Sequence, residues 1–215
     1  MRKLSRRSLI LGASATGAAV GLSGCMSAGP DAMASAQTPA QPVSDSEWHW
    51  SRPNSVRHFE REDVAYYTAE SPGTIVIDPS SHFLYLVLGP GRARRYGIGV
   101  GSEGYGWSGV ATVHNKQEWP DWYPTKDILA RMPQLKPRMK KLASGDGFAG
   151  GEENPLGARA LYLWQNNKDT LYRIHGTNEP WTIGQNVSSG CIRLTNDDVI
   201  DLYNRTPVGT KVVVL

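Results

Sequence analysis

The chain has 215 residues, among them 23 glycines, 14 prolines, 7 tryptophans and 9 tyrosines. This length and composition exclude two large domains and favour one turn-rich β domain over a bundle of helices. The formal net charge of +3 comes from four basic residues near the start, and the remainder holds 19 basic against 20 acidic residues. A nearly neutral remainder gives no support to nucleic-acid binding, and we expect no nucleic-acid partner.

Residues 1–24 have the pattern of an export signal, with a basic start and an apolar run from Leu9 to Leu22 that is short for a membrane span. The paired arginines of "SRRSLI" are typical of twin-arginine export, and a Sec signal fits equally. "LSGC" resembles a lipobox, in which Cys25 would be lipidated. The alternative is release after cleavage at Ala36. Both routes predict a protein of the periplasm or cell envelope, and only lipidation of Cys25 would give it a membrane contact, through a lipid anchor at the N-terminus.

The next two segments precede the predicted domain. Residues 25–46 are rich in Ala, Ser, Pro and Gln, and they predict a disordered tether because they cannot bury enough apolar surface. Residues 47–73 contain aromatic side chains without a clear period, and we expect an N-terminal arm with a short helix around 60–67. The domain itself is predicted over residues 74–215.

The first half of the domain predicts a β meander. The segments 74–78, 83–89, 94–101 and 108–116 are rich in β-branched or aromatic residues and are separated by turn residues. Residues 123–145 carry three prolines within helical patches, which favours short helices in a long insertion. The Gly-rich stretch that follows, up to residue 160, predicts a mobile loop.

The second half predicts two strands, a helix and a final strand. Residues 160–165 and 170–177 read as a strand, a turn and a strand, which places His175 at a strand end. Thr195, with an acidic residue three positions later, is typical of a capped helix start and predicts a helix over 196–204. Residues 210–215, "TKVVVL", predict the last strand.

Cys191 has no expected disulfide partner, because Cys25 would be lipidated or removed with the leader. An unpaired cysteine is commonly a small buried hydrophobe, and with a histidine elsewhere in the chain it is also a candidate nucleophile. A thiol nucleophile needs a base and amide donors, and the "SSGC" turn that contains Gly190 offers such amides. A zinc site built on His175 and Cys191 would lack further ligands.

The stretch "HGT…SSGCIRLTNDDVIDLY…GTKVVVL" resembles the active-site region of YkuD-type L,D-transpeptidases, which are bacterial cell-wall enzymes. The resemblance covers roughly residues 72–215. It implies an L,D-transpeptidase-type β-sandwich, β-rich with short helices and a long insertion loop. Ser189 is one departure, because many members have a second histidine at that position.

The resemblance also implies roles for individual residues. Cys191 would be the nucleophile, His175 its base, and the Gly176 carbonyl would orient the imidazole. The amides of Gly190 and Cys191 would form the oxyanion hole. Arg193 would bind a substrate carboxylate or, equally, form a structural ion pair.

Ser188 and Ser189 are further candidate substrate contacts. The implied reaction forms a thioester with a peptidoglycan tetrapeptide stem, which the amine of a second stem resolves into a 3–3 cross-link. In some members the acceptor is the amine of an envelope protein. No metal or other cofactor is implied.

Two other functions stay open from the sequence. A wall cysteine hydrolase of the NlpC/P60 type would place its cysteine before its histidine, whereas here the histidine comes first. A non-catalytic, peptidoglycan-associated envelope lipoprotein with an inert thiol is the other alternative.

Overall fold

The structure, a computed structural model of the chain, describes residues 54–102 and 106–215. The predicted signal at 1–24, the tether at 25–46 and Cys25 lie outside these described residues. Within the described ranges, no helix is long and apolar enough to cross a membrane.

Thirteen strands occur in the described part of the chain, and nine of them form one mixed sheet. The strands are β1 Glu62–Ala65, β2 Ile75–Asp78, β3 Phe83–Gly89, β4 Arg92–Gly97, β5 Val100–Gly101, β6 Gly109–Glu118, β7 Lys140–Leu142, β8 Gly145–Gly147, β9 Arg159–Gln165, β10 Lys168–His175, β11 Asn186–Ser188, β12 Ile192–Arg193 and β13 Lys211–Val214. The order in the large sheet is β1-β4-β3-β2-β13-β6-β9-β10-β12. Strand β13 is parallel to β2, β12 is parallel to β10, and the other neighbours are antiparallel.

The final strand lies in the middle of the sheet. Val212 pairs with Ile75 of β2 on one side and with Ala111 of β6 on the other. All three side chains belong to a core cluster that also includes residues of β3, β4, β9, β10, β12 and helix α2, Asn196–Arg205. The predicted β-rich fold is confirmed, because the β-branched and aromatic runs found in the sequence provide the strands and much of this core.

The predicted helix after the cysteine is confirmed as α2. Thr195 is its N-cap and accepts a hydrogen bond from the amide of Asp198 at 3.3 Å, while its hydroxyl donates to the carboxylate of the same residue at 2.9 Å. The bond to the Asp198 amide satisfies a donor that the first turn of a helix leaves without a partner. Helix α2 therefore begins at a fixed place, five residues after Cys191.

The predicted helix around 60–67 is wrong. That segment contains β1, preceded by a 3₁₀ helix over Asn54–Phe59. Strand β1 pairs with β4 so that Glu62 lies opposite Arg95 and Asp63 opposite Arg94, and both pairs are ion pairs. Opposite charges directly across two strands favour this pairing, and it is set by contacts with a distant segment rather than by local propensity.

The insertion between β6 and β9 contains the predicted short helices and one unpredicted hairpin. Helix α1, Lys126–Arg131, is followed by a 3₁₀ helix, Pro133–Arg138, and then by the β7–β8 hairpin. The Gly-rich segment after β8 is a loop, and the buried amide of Asn154 donates to three backbone carbonyls within and beside it. These three hydrogen bonds hold the loop in one conformation from its buried side.

Candidate active site

The pairing of β10 with β12 brings the segments that carry the histidine and the cysteine next to each other. Ile174 lies beside Ile192 and His175 beside Arg193 in parallel register. Both isoleucines point into the core, so His175 and Arg193 lie on the opposite face. Cys191 immediately precedes β12, and its Sγ contacts the backbone of β10, the strand that ends at His175.

His175 is held as a neutral imidazole. Its Nδ1 lies 2.5 Å from the carbonyl oxygen of Gly176, and only 4% of the residue is exposed. Burial, with the positive charge of Arg193, lowers the pKa of His175 to about 3, against the opposing effect of the Gly176 hydrogen bond. A neutral ring that donates from Nδ1 leaves Nε2 with a lone pair, which is the form required of a general base.

The backbone after the histidine is fixed by Asn196, the first residue of α2. Its Oδ1 accepts from the amides of Ala158 at 3.0 Å and Thr177 at 3.2 Å. A Cβ on Gly176 would lie 2.3 Å from the same oxygen, which explains the glycine there. Asn196 is not among the residues predicted from the sequence, although its position directly after the N-cap could have indicated a buried polar contact.

The thiol of Cys191 contacts the backbone of β10. Its Sγ lies 3.8 Å from the Leu171 carbonyl oxygen, and the backbone N–H of Arg173 donates to the sulfur. Burial raises the pKa of the Cys191 thiol above its ordinary value, although the charges of Arg173 and Arg193 oppose this effect. The resting site therefore contains a protonated thiol and a neutral imidazole.

The "SSGC" turn is held by its own side chains. The Ser188 hydroxyl is buried; it donates to the Cys191 carbonyl at 2.6 Å and accepts from the Gly190 amide at 3.2 Å. Gly190 has φ of 113°, a conformation that favours glycine. Ser189 is exposed and accepts from Arg131 of α1 at 3.1 Å. In this resting structure the Gly190 amide is thus bonded within the turn, and Ser188 supports the turn.

Arg193 forms the ion pair that was one of its two predicted roles. Its Nη1 lies 3.0 Å from Oε2 of Glu179, while its Nε is buried without a hydrogen-bond partner among the described residues. The guanidinium therefore stabilises the loop that follows His175. It also contributes positive charge to both the histidine and the cysteine.

Among the clefts of the described residues, one lies beside the cysteine turn and another in the insertion. One is small and lies beside Gly190, with Trp107 stacked on Tyr172 at 5.7 Å between ring centroids in its wall. The other, of about 420 Å³, lies in the insertion and is lined by Arg138, Lys140 and residues 148–154. Across the described residues, no group of three or more His, Cys, Asp or Glu side chains is arranged to hold a metal ion.

The family model and two relatives that match this chain carry the same description, L,D-transpeptidase. The YkuD model, an L,D-transpeptidase catalytic domain, matches residues 72–214. The chain is 40% identical over 123 residues to a probable L,D-transpeptidase ErfK/SrfK of Escherichia coli K12, covering 55% of this chain and 36% of that protein. It is 34% identical over 150 residues to the ErfK/SrfK protein of Salmonella typhimurium, covering 66% and 44%. The matches therefore span less than half the length of these relatives.

A solved structure from Brucella melitensis, described as a probable carnitine operon oxidoreductase, is 53% identical and covers 73% of this chain and 94% of that one, with a TM-score of 0.49. An L,D-transpeptidase from Mycobacterium smegmatis is 19% identical, covers 66% of this chain and 58% of that one, and has a TM-score of 0.45. These TM-scores are too low to support an argument about activity. The family model, in contrast, covers both β10 and the "SSGC" turn, and the chain belongs to the YkuD family of L,D-transpeptidase catalytic domains.

Proposed function

We propose that this protein is an L,D-transpeptidase that acts on the tetrapeptide stems of peptidoglycan through a thioester on Cys191. The observation that carries the proposal is the parallel pairing of β10, which ends at His175, with β12, which directly follows Cys191, together with the contact between Nδ1 of the imidazole and the Gly176 carbonyl. This arrangement leaves Nε2 as the proton acceptor. Family membership supports the reaction class.

The first half-reaction forms the acyl-enzyme. His175 Nε2 takes the thiol proton as the sulfur attacks the carbonyl carbon of the L-centre of the donor stem. The oxyanion that develops is stabilised by the Cys191 amide, joined by the Gly190 amide once that group exchanges its bond to Ser188. When the tetrahedral intermediate collapses, the C–N bond breaks and the terminal D-alanine leaves with the proton held by His175.

The second half-reaction transfers the acyl group. An amine of a second stem attacks the thioester carbon and loses a proton to His175, and the proton returns to the sulfur as the C–S bond breaks. A protein amine is the alternative acceptor, which would attach an envelope protein to the wall. We assign Ser189 to a contact with the donor stem, because it is exposed two residues before the cysteine, whereas Arg193 is held in its ion pair with Glu179.

We also infer that the protein acts in the cell envelope, since its substrate lies there and residues 1–24 have the pattern of an export signal. Lipidation at Cys25 would attach it to a membrane. Mass spectrometry of the mature N-terminus in its native host tests this: a lipid-modified Cys25 supports the anchor, and a free N-terminus after Ala36 contradicts it.

The activity is tested with purified protein and defined tetrapeptide muropeptides. We expect an acyl-enzyme that lacks the mass of the terminal D-alanine, followed by a 3–3 dimer. Cys191→Ser should abolish both products while leaving the melting temperature nearly unchanged, because the substitution is small. Absence of an adduct on the folded wild-type protein would contradict the proposal and would favour a non-catalytic envelope protein that binds peptidoglycan.

A further inference from the structure

Strand β10 is irregular where it passes the cysteine. Its register with β9 shifts between Asp169 and Arg173. Within this bulge Leu171 has φ of 63°, and 65% of the residue is exposed. A leucine in the left-handed region is uncommon and strained, so neighbouring contacts must hold it there.

The carboxylate of Asp169 accepts hydrogen bonds from the backbone of Leu171 and from the side chain of Arg173. Its Oδ1 accepts from the Leu171 amide at 2.8 Å, and its two oxygens accept from Nη1 and Nη2 of Arg173 at 2.7 and 2.8 Å. The Arg173 guanidinium also lies over the ring of Tyr162, 4.4 Å from its centroid. The hydroxyl of Thr170 supports the bulge further, donating to the Leu163 carbonyl at 2.6 Å. Asp169 is thus the residue that joins the backbone of the bulge to the strand beyond it.

The bulge supplies two contacts to the sulfur of Cys191. The Leu171 carbonyl accepts from the protonated thiol, and the Arg173 amide donates to the sulfur. When the thiol loses its proton, the carbonyl loses its donor, whereas the amide still donates and stabilises the thiolate. The geometry of residues 171–173 therefore sets both the direction of the sulfur and the stability of its charged form.

We propose that Asp169 is a positioning residue for Cys191, because it holds the bulge that aims the Arg173 amide and the Leu171 carbonyl at the sulfur. The consequence for turnover rests on the proposed transpeptidase function, whereas the effect on the thiol does not. The charged groups that act on the sulfur are Arg173 and Arg193, which are positive, and the carboxylate of Asp169.

The direction in which the pKa of Cys191 changes on loss of Asp169 distinguishes a positioning role from the effect of its charge alone. The negative charge of Asp169 by itself raises the pKa of Cys191, so its removal through space would lower that pKa. Loss of a well-placed Arg173 amide would raise it instead, because the thiolate would lose a donor. The variant is Asp169→Asn, which keeps the shape and loses the ion pair with Arg173.

The experiment measures the rate of iodoacetamide alkylation against pH on the folded, full-length chain carrying Cys25→Ser, so that Cys191 is the thiol observed. For Asp169→Asn we expect the apparent thiol pKa to rise by about 0.5–1 unit, which is about a three- to tenfold slower reaction at pH 7. Asp146→Asn, which removes an exposed carboxylate in the β7–β8 hairpin, is the matched control and should leave the profile unchanged. An unchanged or lowered thiol pKa in folded Asp169→Asn would overturn the proposal.

A second variant guards against misfolding. Glycine adopts positive φ without strain, so adding Leu171→Gly to Asp169→Asn should restore the bulge and return the thiol pKa toward its original value. Failure of the double variant to shift back, in a folded protein, also counts against a positioning role. Acyl-enzyme formation is measured separately, and its absence in the wild-type chain would overturn the transpeptidase proposal without affecting the alkylation result.

Discussion

At the scale of single residues, the site combines a base with a lowered pKa and a thiol with a raised one. Burial is the main cause of both shifts, since it disfavours the imidazolium of His175 and the thiolate of Cys191 alike. An ion pair between a Cys191 thiolate and a His175 imidazolium is therefore disfavoured in the resting protein. We infer that the proton moves as the sulfur attacks, when the developing charge passes to the substrate oxyanion.

The lowered pKa of His175 predicts an acid-sensitive fold. The unfolded chain binds a proton on this residue below its ordinary pKa of about 6.5, whereas the folded chain does so only near pH 3. Stability is therefore complete above pH 6.5 and falls by about 1.4 kcal/mol per pH unit as the pH drops from there toward 3. Urea unfolding at several pH values should show this slope in Cys191→Ser and a shallower one in His175→Gln. Equal slopes in the two variants would contradict the assignment.

At the scale of elements, helix α2 positions the histidine loop through its first residue. Thr195 fixes where the helix begins, and Asn196 then meets the amides of Ala158 and Thr177. One side chain thereby connects the start of α2, the entry to β9 and the segment after β10. The position of the Gly176 carbonyl, and with it the orientation of the imidazole, depends on this connection.

Asn196→Ala is expected to lower the free energy of unfolding by about 2–4 kcal/mol, because it leaves two buried amides without an acceptor. The exposed Asn204 of the same helix provides the control, and Asn204→Ala should change stability by about 0.5 kcal/mol or less. Chemical denaturation of both variants tests the difference. Similar values for the two variants would show that the Asn196 contacts contribute little.

At the scale of the whole described domain, the insertion contacts both segments of the candidate site. Arg131 of α1 donates to Ser189 beside the cysteine, and Asn178, three residues after His175, donates to the Glu153 carbonyl at 3.0 Å. The insertion therefore borders the site on two sides. From this placement we expect the shape of the insertion to influence which acceptor reaches the proposed thioester.

Loss of the Arg131 contact should affect turnover more than thiol chemistry. For Arg131→Ala we expect transpeptidation to fall about two- to tenfold, the effect of one hydrogen bond that orders the turn, while alkylation of Cys191 stays unchanged. Lys126→Ala removes a positive charge from the same helix and serves as the control. Equal losses of both reactions in Arg131→Ala would indicate general damage to the turn instead.

The sequence by itself determined the local features of this protein. The β-branched runs predicted β2, β3, β6 and β13, the Thr195 pattern predicted α2, and the spacing of histidine and cysteine within a family motif predicted the candidate pair. Each of these depends on neighbours along the chain, such as turn residues, alternation and a helix cap, and is therefore visible in one sequence.

The tertiary structure decided the features that depend on distant contacts. Strand β1 formed through ion pairs with β4, and the left-handed Leu171 is held by Asp169 within a bulge set by pairing with β9. Asn196 and Arg193 received their partners from loops far away in the chain. The strained φ of Leu171 and the burial of the His175 ring are properties of tertiary packing. No local pattern of residues carries them, because their energies are fixed only when the sheet is assembled.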